Sequence, residues 1–196
     1  VVMCPTYYSD DRMLDVVFGE RPAGYLDDLG RRLDPRVGVY WTGEEICARE
    51  FGLGHLARVA DALRRKPTLW DNYPVNDGPR MSRFLHLRGF TGRASGIASH
   101  IAAHAINPAL QPHLTLIPAA TLAASYREGA GYCYMRAFRE ASRAMAGPDL
   151  AAMLEADLLA LQDLGIDHLG ADRERLRDRY MAVDHPMAAE VARWLD

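Results

Sequence analysis

Four short apolar runs, each stopped by aromatic or polar residues and turn formers, recur along the first half of the chain and limit what it can become. They are Val1 to Cys4, which leads to Tyr8; Val37-Gly38-Val39-Tyr40-Trp41; Pro67-Thr68-Leu69-Trp70; and the last part of the small-residue stretch 94–106, which ends at Asn107. The run ends at Tyr8, Trp41, Trp70 and Asn107 stand 33, 29 and 37 residues apart. Between them lie helical segments around Gly24 to Leu33 and Gly54 to Arg65, the second with Leu56, Val59, Ala60 and Leu63 at helical spacing. Strands alternating with helices at about 30 residues per unit mark βα repeats and a parallel sheet. The expected fold class is therefore α/β: about four βα units, the second half of a TIM (β/α)8 barrel, with functional groups on the loops after the strands. The alanines of 94–106 would suit a helix equally well.

From Leu114 the pattern turns helical, with segments at Leu116 to Tyr126, Tyr132 to Ala146, Pro148 to Leu164, Asp172 to Val183 and Pro186 to Leu195, separated by Gly129, Gly147, Gly165 and Gly170. The expected organisation is a half-barrel over residues 1–113 and a helical region over 114–196. Nothing in the second region suggests chemistry. Charged runs such as Asp172-Arg173-Glu174-Arg175 read as solvated helix faces.

The totals exclude several classes of function. With 23 Lys+Arg against 26 Asp+Glu, the formal charge is −3, and the basic residues are scattered rather than interleaved with aromatics, which argues against a nucleic-acid partner. No apolar run approaches the ~20 residues of a membrane span, so a soluble protein is expected. Cys4, Cys47 and Cys133 are far apart and odd in number, which disfavours a disulfide framework; reduced thiols point toward the cytoplasm. The chain opens inside an apolar run, so the natural N-terminus is expected upstream and a targeting signal would be out of view.

The chemistry concentrates in Pro67-Thr68-Leu69-Trp70-Asp71-Asn72-Tyr73-Pro74-Val75-Asn76-Asp77. An aromatic plate beside amides and a carboxylate at a strand end is what a sugar pocket needs: a ring face for C–H contacts, with donors and acceptors for hydroxyls. A buried Trp backed by a polar turn fits these residues as well. Asp10-Asp11 could pass for an acid/base pair but sits in a turn, where adjacent carboxylates are usual. Asp27-Asp28 lies within a helical segment. His100 and His104, four apart, lack a third metal ligand and read as structural. There is no dinucleotide or phosphate loop and no nucleophile elbow, and no cofactor is expected. Tyr8, Trp70, Asn72, Asp77 and Asn107 remain, groups that bind and orient without supplying a proton donor matched to a nucleophile.

Cys4-Pro5-Thr6-Tyr7-Tyr8, Trp41-Thr42-Gly43, the block Leu69 to Asp77, Gly92-Arg93 and Ile106-Asn107-Pro108 together resemble, in order and spacing over about residues 1 to 126, the family 84 glycoside hydrolases. These are β-N-acetylglucosaminidases that include protein O-GlcNAcases and bacterial enzymes once called hyaluronidases. The resemblance implies that Tyr8 is the tyrosine after the fifth barrel strand, that Trp70 walls the acetamido group, and that Asn72 lies near the catalytic centre. It implies that Asp77 and Asn107 bind outer sugar hydroxyls. It implies a retaining, substrate-assisted exo-hydrolysis of terminal N-acetylglucosamine through an oxazoline. The acid/base Asp pair of that mechanism belongs to the loop after the fourth strand, upstream of Val1, so no catalytic residue is assigned in this chain. Tyr7 departs from the family, which usually has Glu there. The expected partners are an N-acetylglucosamine-bearing glycan or glycoprotein and the N-terminal half of the barrel, in the same chain or in a cleaved precursor. Exposed sheet edges would also favour self-association. The competing reading is a non-catalytic sugar-binding or scaffolding protein.

Overall fold

The computed structural model describes residues 1–196. They group into two compact units, Val1–Asn72 with Thr91–Asn107, and Tyr73–Phe90 with Pro108–Asp196.

The first unit is built on four parallel strands in sequence order: β1 (Val2–Met3), β2 (Gly38–Trp41), β3 (Thr68–Asp71) and β4 (Ala103–Ile106). The ambiguity of the alanine-rich stretch resolves as strand because β3 supplies a full ladder, Thr68 opposite Ala103 through Asp71 opposite Ile106. Helices α1 (Met13–Phe18), α2 (Tyr25–Arg32) and α3 (Leu53–Leu63) fill the connections. The core comprises Val39, Trp41, Phe51, Leu56, Val59, Leu63, Leu69, Ile97 and Ile101, so the helical-period residues of α3 meet the inward residues of β2 and β3. Arg65, just past α3, donates to the carbonyls of Gly30, Leu33, Asp34 and Val37, satisfying acceptors that the end of α2 leaves open.

The second unit holds the short α4 (Gly78–Met81) and the longer α5 (Pro112–Glu128), α6 (Tyr134–Ala156), α7 (Asp172–Met181) and α8 (Pro186–Leu195). Its core gathers Leu85, Leu87, Leu114, Ile117, Phe138, Leu154, Leu161, Leu176, Tyr180 and Val191. The four glycines expected to separate helices all have positive φ. The helix-long segments read before and after Gly147 join as α6 with a break at that residue, and beyond Ala156 the chain makes a π-helical turn, Leu159–Leu164, rather than more α-helix. The carboxylate of Glu190, buried on α8, accepts from the N–H groups of His113 and Leu114, neutralising the open donors at the start of α5. No helix is long and apolar enough to cross a membrane.

Candidate substrate-binding site

The loops after the four strands of the first unit are joined by one run of hydrogen bonds. After β1, Asp11 accepts from the Ile46 N–H of the β2 loop at 3.2 Å. The Ile46 carbonyl in turn accepts from Asn72 Nδ2 at 2.7 Å, just beyond β3. Asn72 Oδ1 then accepts from Asn107 Nδ2, beyond β4, and from Trp70 Nε1, each at 3.1 Å. An amide has two acceptor lone pairs and two donors. Both lone pairs of Asn72 are occupied and one N–H is committed, so Asn72 orients Trp70 and Asn107 and keeps at most one N–H for a ligand.

Trp70 is half-buried, edge-on to Tyr40 with ring centroids 5.1 Å apart. Strand alternation explains its placement: Leu69 and Asp71 are buried, and Trp70 between them faces the other way. Tyr8 is half-buried in the β1 loop, its carbonyl receiving the Thr42 N–H at 2.9 Å. Burial, reinforced by Cys4, Cys47 and Asp11 nearby, pushes its phenol pKa up, so at neutral pH Tyr8 is a hydrogen-bond donor. Of the five residues singled out in the sequence, Trp70, Asn72 and Asn107 are in direct contact, and Tyr8 stands on the loop that Asp11 ties to them. Asp77 belongs to the second unit, where it precedes α4, is exposed, and makes no capping bond with its side chain.

The other polar residues have structural occupations. Asn76 is fully buried; it donates to the Phe84 carbonyl and Gln111 Oε1 and accepts from the Leu110 N–H, which leaves it no part in a pocket. Asp10 faces Arg21, while Asp11 receives the Met13 and Ile46 N–H groups, so the two are not an acid/base couple. Beneath Trp70, Asp71 is gripped by the fork of Arg93 and by His104 Nε2 at 3.0 Å, all three side chains being 5% exposed or less. Arg93 also donates to the carbonyls of Arg49 and Thr91, and lies over the Phe51 ring. Gly92 makes this possible: its φ is +71°, and a Cβ there would sit 2.1 Å from the Arg49 carbonyl oxygen. Sequence reasoning found Gly92-Arg93 through the resemblance but not the buried ion cluster it completes.

His55, buried on α3, accepts from Trp41 Nε1 at 2.9 Å through Nε2; indole is a donor only, so this imidazole is neutral. Burial holds its pKa below the ordinary 6.5, against the opposite pull of Asp10 and Glu44. Protonation is thus easier in the unfolded chain, and stability present above about pH 6.5 falls as pH drops toward the folded pKa. Thermal melts at pH 7.5 and 5.5 are expected to show that drop, and to show less of it in His55→Gln, which keeps an acceptor for Trp41 but cannot titrate. An equal drop in both proteins would remove His55 as its source.

A family model described as beta-N-acetylglucosaminidase matches residues 1–160. The chain belongs to the β-N-acetylglucosaminidase family, glycoside hydrolase family 84. It is similar to protein O-GlcNAcase of Rattus norvegicus and of Mus musculus, 27% identical over 126 residues in each case, covering 64% of this chain and 13% of those proteins. A solved structure of a Thermobaculum terrenum O-GlcNAc hydrolase mutant superposes with a TM-score of 0.75 at 25% identity, covering 99% of this chain and 46% of that one. The chain thus spans less than half of the solved relative and about an eighth of the curated ones. Its four βα units are the second half of a (β/α)8 barrel, with helices after them. Tyr7 is held by packing: its ring is buried edge-on to Tyr25 at 5.0 Å, and its hydroxyl donates to the Gly19 carbonyl at 2.9 Å.

Proposed function

We propose that this chain supplies the sugar-binding half of a retaining exo-β-N-acetylglucosaminidase that removes terminal N-acetylglucosamine from glycans or glycoproteins. The observation that carries the reading is the hydrogen-bond run from Asp11 through Ile46 and Asn72 to Asn107 and Trp70. It fixes an aromatic face and an amide where barrel enzymes bind their substrates. In this reading Trp70 walls the acetamido group, Tyr8 donates, and Asn107 hydrogen-bonds a hydroxyl. The resemblance adds Asp77 as a further hydroxyl acceptor.

The acetamido oxygen is the nucleophile: it bonds to the anomeric carbon as the leaving oxygen departs with a proton from one carboxyl group, while the acetamido N–H gives its proton to a second carboxylate. The resulting oxazoline is opened by water with net retention. The resemblance assigns the acid/base carboxylate pair to a loop that is not among residues 1–196. Hydrolysis of an aryl β-N-acetylglucosaminide by the whole protein tests the activity. Successive fluorination of the acetamido methyl weakens the internal nucleophile and should lower kcat/KM at each step; a rate indifferent to fluorine would exclude the oxazoline route. Asp77→Ala should cost on the order of 10- to 100-fold in kcat/KM, the loss of a charged hydrogen bond to a hydroxyl. Unchanged turnover would remove Asp77 from the site.

A second reading, a sugar-binding or scaffolding protein without hydrolytic activity, draws on Asp71, whose carboxylate at the end of β3 is committed to Arg93 and His104. Saturable binding of N-acetylglucosamine by the whole protein without any hydrolysis would favour it.

A further inference from the structure

The helical region has a direct connection to the Asp77 loop within the second unit. The turn Leu159–Leu164 is π-helical, closed by the Gly165 N–H donating to the Ala160 carbonyl five residues back. A single wide turn of this kind inside helical structure re-aims side chains, and such turns concentrate at functional sites. Here it presents Gln162, whose Oε1 accepts from two successive backbone N–H groups, Leu87 at 2.8 Å and Arg88 at 2.7 Å. Its Nε2 reaches the Tyr73 hydroxyl at 3.4 Å.

The same turn holds the loop through backbone bonds, Leu85 N–H to the Leu161 carbonyl and Ile166 N–H to the Arg83 carbonyl, each at 2.9 Å. The approach is so close that a Cβ on Gly165, already at φ +73°, would lie 2.6 Å from the Phe84 ring. The segment 83–88 is in turn bonded to the residues leading to Asp77. Tyr73 donates its hydroxyl to the Arg88 carbonyl at 2.6 Å, Asn76 donates to the Phe84 carbonyl at 3.0 Å, and His86 Nδ1 lies 2.9 Å from the Val75 carbonyl. Asp77 itself is exposed and makes no capping bond, so the course of its loop sets the point from which its carboxylate extends.

We propose that Gln162 is a positioning residue for substrate binding, acting through the 83–88 segment to fix the loop that carries Asp77. The proposal rests on the reading of Asp77 as a sugar-hydroxyl acceptor. It assigns the π-helical turn a role in recognition that a plain helical scaffold would not need. Glutamate at 162 would keep both acceptor bonds; leucine would keep the volume and lose them.

The test is steady-state hydrolysis of 4-nitrophenyl N-acetyl-β-glucosaminide by the whole protein and by Gln162→Leu, Gln162→Glu, Asp77→Ala and the Gln162→Leu/Asp77→Ala pair. Gln162→Leu should raise KM about tenfold, roughly the value of one net hydrogen bond, with a smaller change in kcat. Gln162→Glu should stay within about twofold of the parent. In the Asp77→Ala background Gln162→Leu should raise KM no further, because the group it positions is gone.

An unchanged KM in Gln162→Leu, equal losses in the Leu and Glu variants, or multiplying effects in the pair would each overturn the proposal. If Asp77→Ala leaves KM unchanged, the reading of Asp77 fails and the proposal falls with it; a KM rise in Asp77→Ala without one in Gln162→Leu overturns the positioning role alone. Should Gln162→Leu not fold, Gln162→Asn, one methylene too short to reach both N–H groups, carries the same expectation and the same refutation.

Discussion

Replacing Arg93 by Ala is expected to destabilise the first unit by about 3–5 kcal/mol, the cost of leaving a buried carboxylate without its main partner. Asp71 is 1% exposed at its side chain, so in the folded protein the guanidinium, not water, solvates its charge. The same substitution frees the carbonyls of Arg49 and Thr91 and removes the cation from the Phe51 ring. Against a typical total stability of about 5–15 kcal/mol, that is a large share. A thermal shift on the order of 10 °C should be measured. Arg93→Lys should recover only part of it, since an ammonium cannot grip both carboxylate oxygens in the plane of a fork. A shift below about 2 °C in Arg93→Ala would show that the cluster contributes little to stability.

The largest functional effect is expected at Asn72. Asn72→Ala leaves the Trp70 indole N–H, the Asn107 amide and the Ile46 carbonyl each short of a partner. Losing the fixed placement of the aromatic face and of Asn107 together should lower kcat/KM for an aryl β-N-acetylglucosaminide on the order of 100-fold, about 2.7 kcal/mol of transition-state binding. Asn72→Asp is isosteric yet should be about as poor. Its carboxylate can still accept from Trp70 and Asn107, but it would face the Ile46 carbonyl at 2.7 Å with a lone pair where Asn72 offers an N–H. Near-parental activity in Asn72→Asp would mean that the donation to Ile46 does not hold the site together.

These two residues also show how far the sequence could be read. The strands were legible because apolar runs recur at βα spacing, although the first ends at Met3, five residues before Tyr8, and the candidate side chains were singled out because aromatic and amide residues cluster after them. Asp71 is adjacent to Trp70 and Asn72 in the same block, yet strand alternation turns it inward, onto partners 22 and 33 residues away that no local pattern announces. Asn76, in the same block, is committed in the same way: its partners Leu110 and Gln111 lie more than 30 residues on, and a polar side chain in a turn reads alike whether it meets ligand or backbone. Helices α1 and α4, six and four residues long, are too short to leave a period. The π-helical turn was hidden because Leu-Ala-Leu-Gln-Asp-Leu is an ordinary helical sequence; only the widened hydrogen bond at Gly165 reveals it. Tyr8, Trp70 and Asn107 were nameable from the resemblance, but Ile46, which links their loops through its backbone, carries no side-chain signal at all.

The most direct measurement is a crystal structure of the whole protein with N-acetylglucosamine bound. The account predicts one pyranose in contact with the Trp70 ring at about 4 Å, with Asn107 and Tyr8 within hydrogen-bonding distance and Asn72 still bonded to the Ile46 carbonyl. A sugar bound away from the four strand ends, with Trp70 and Asn107 untouched, would contradict it.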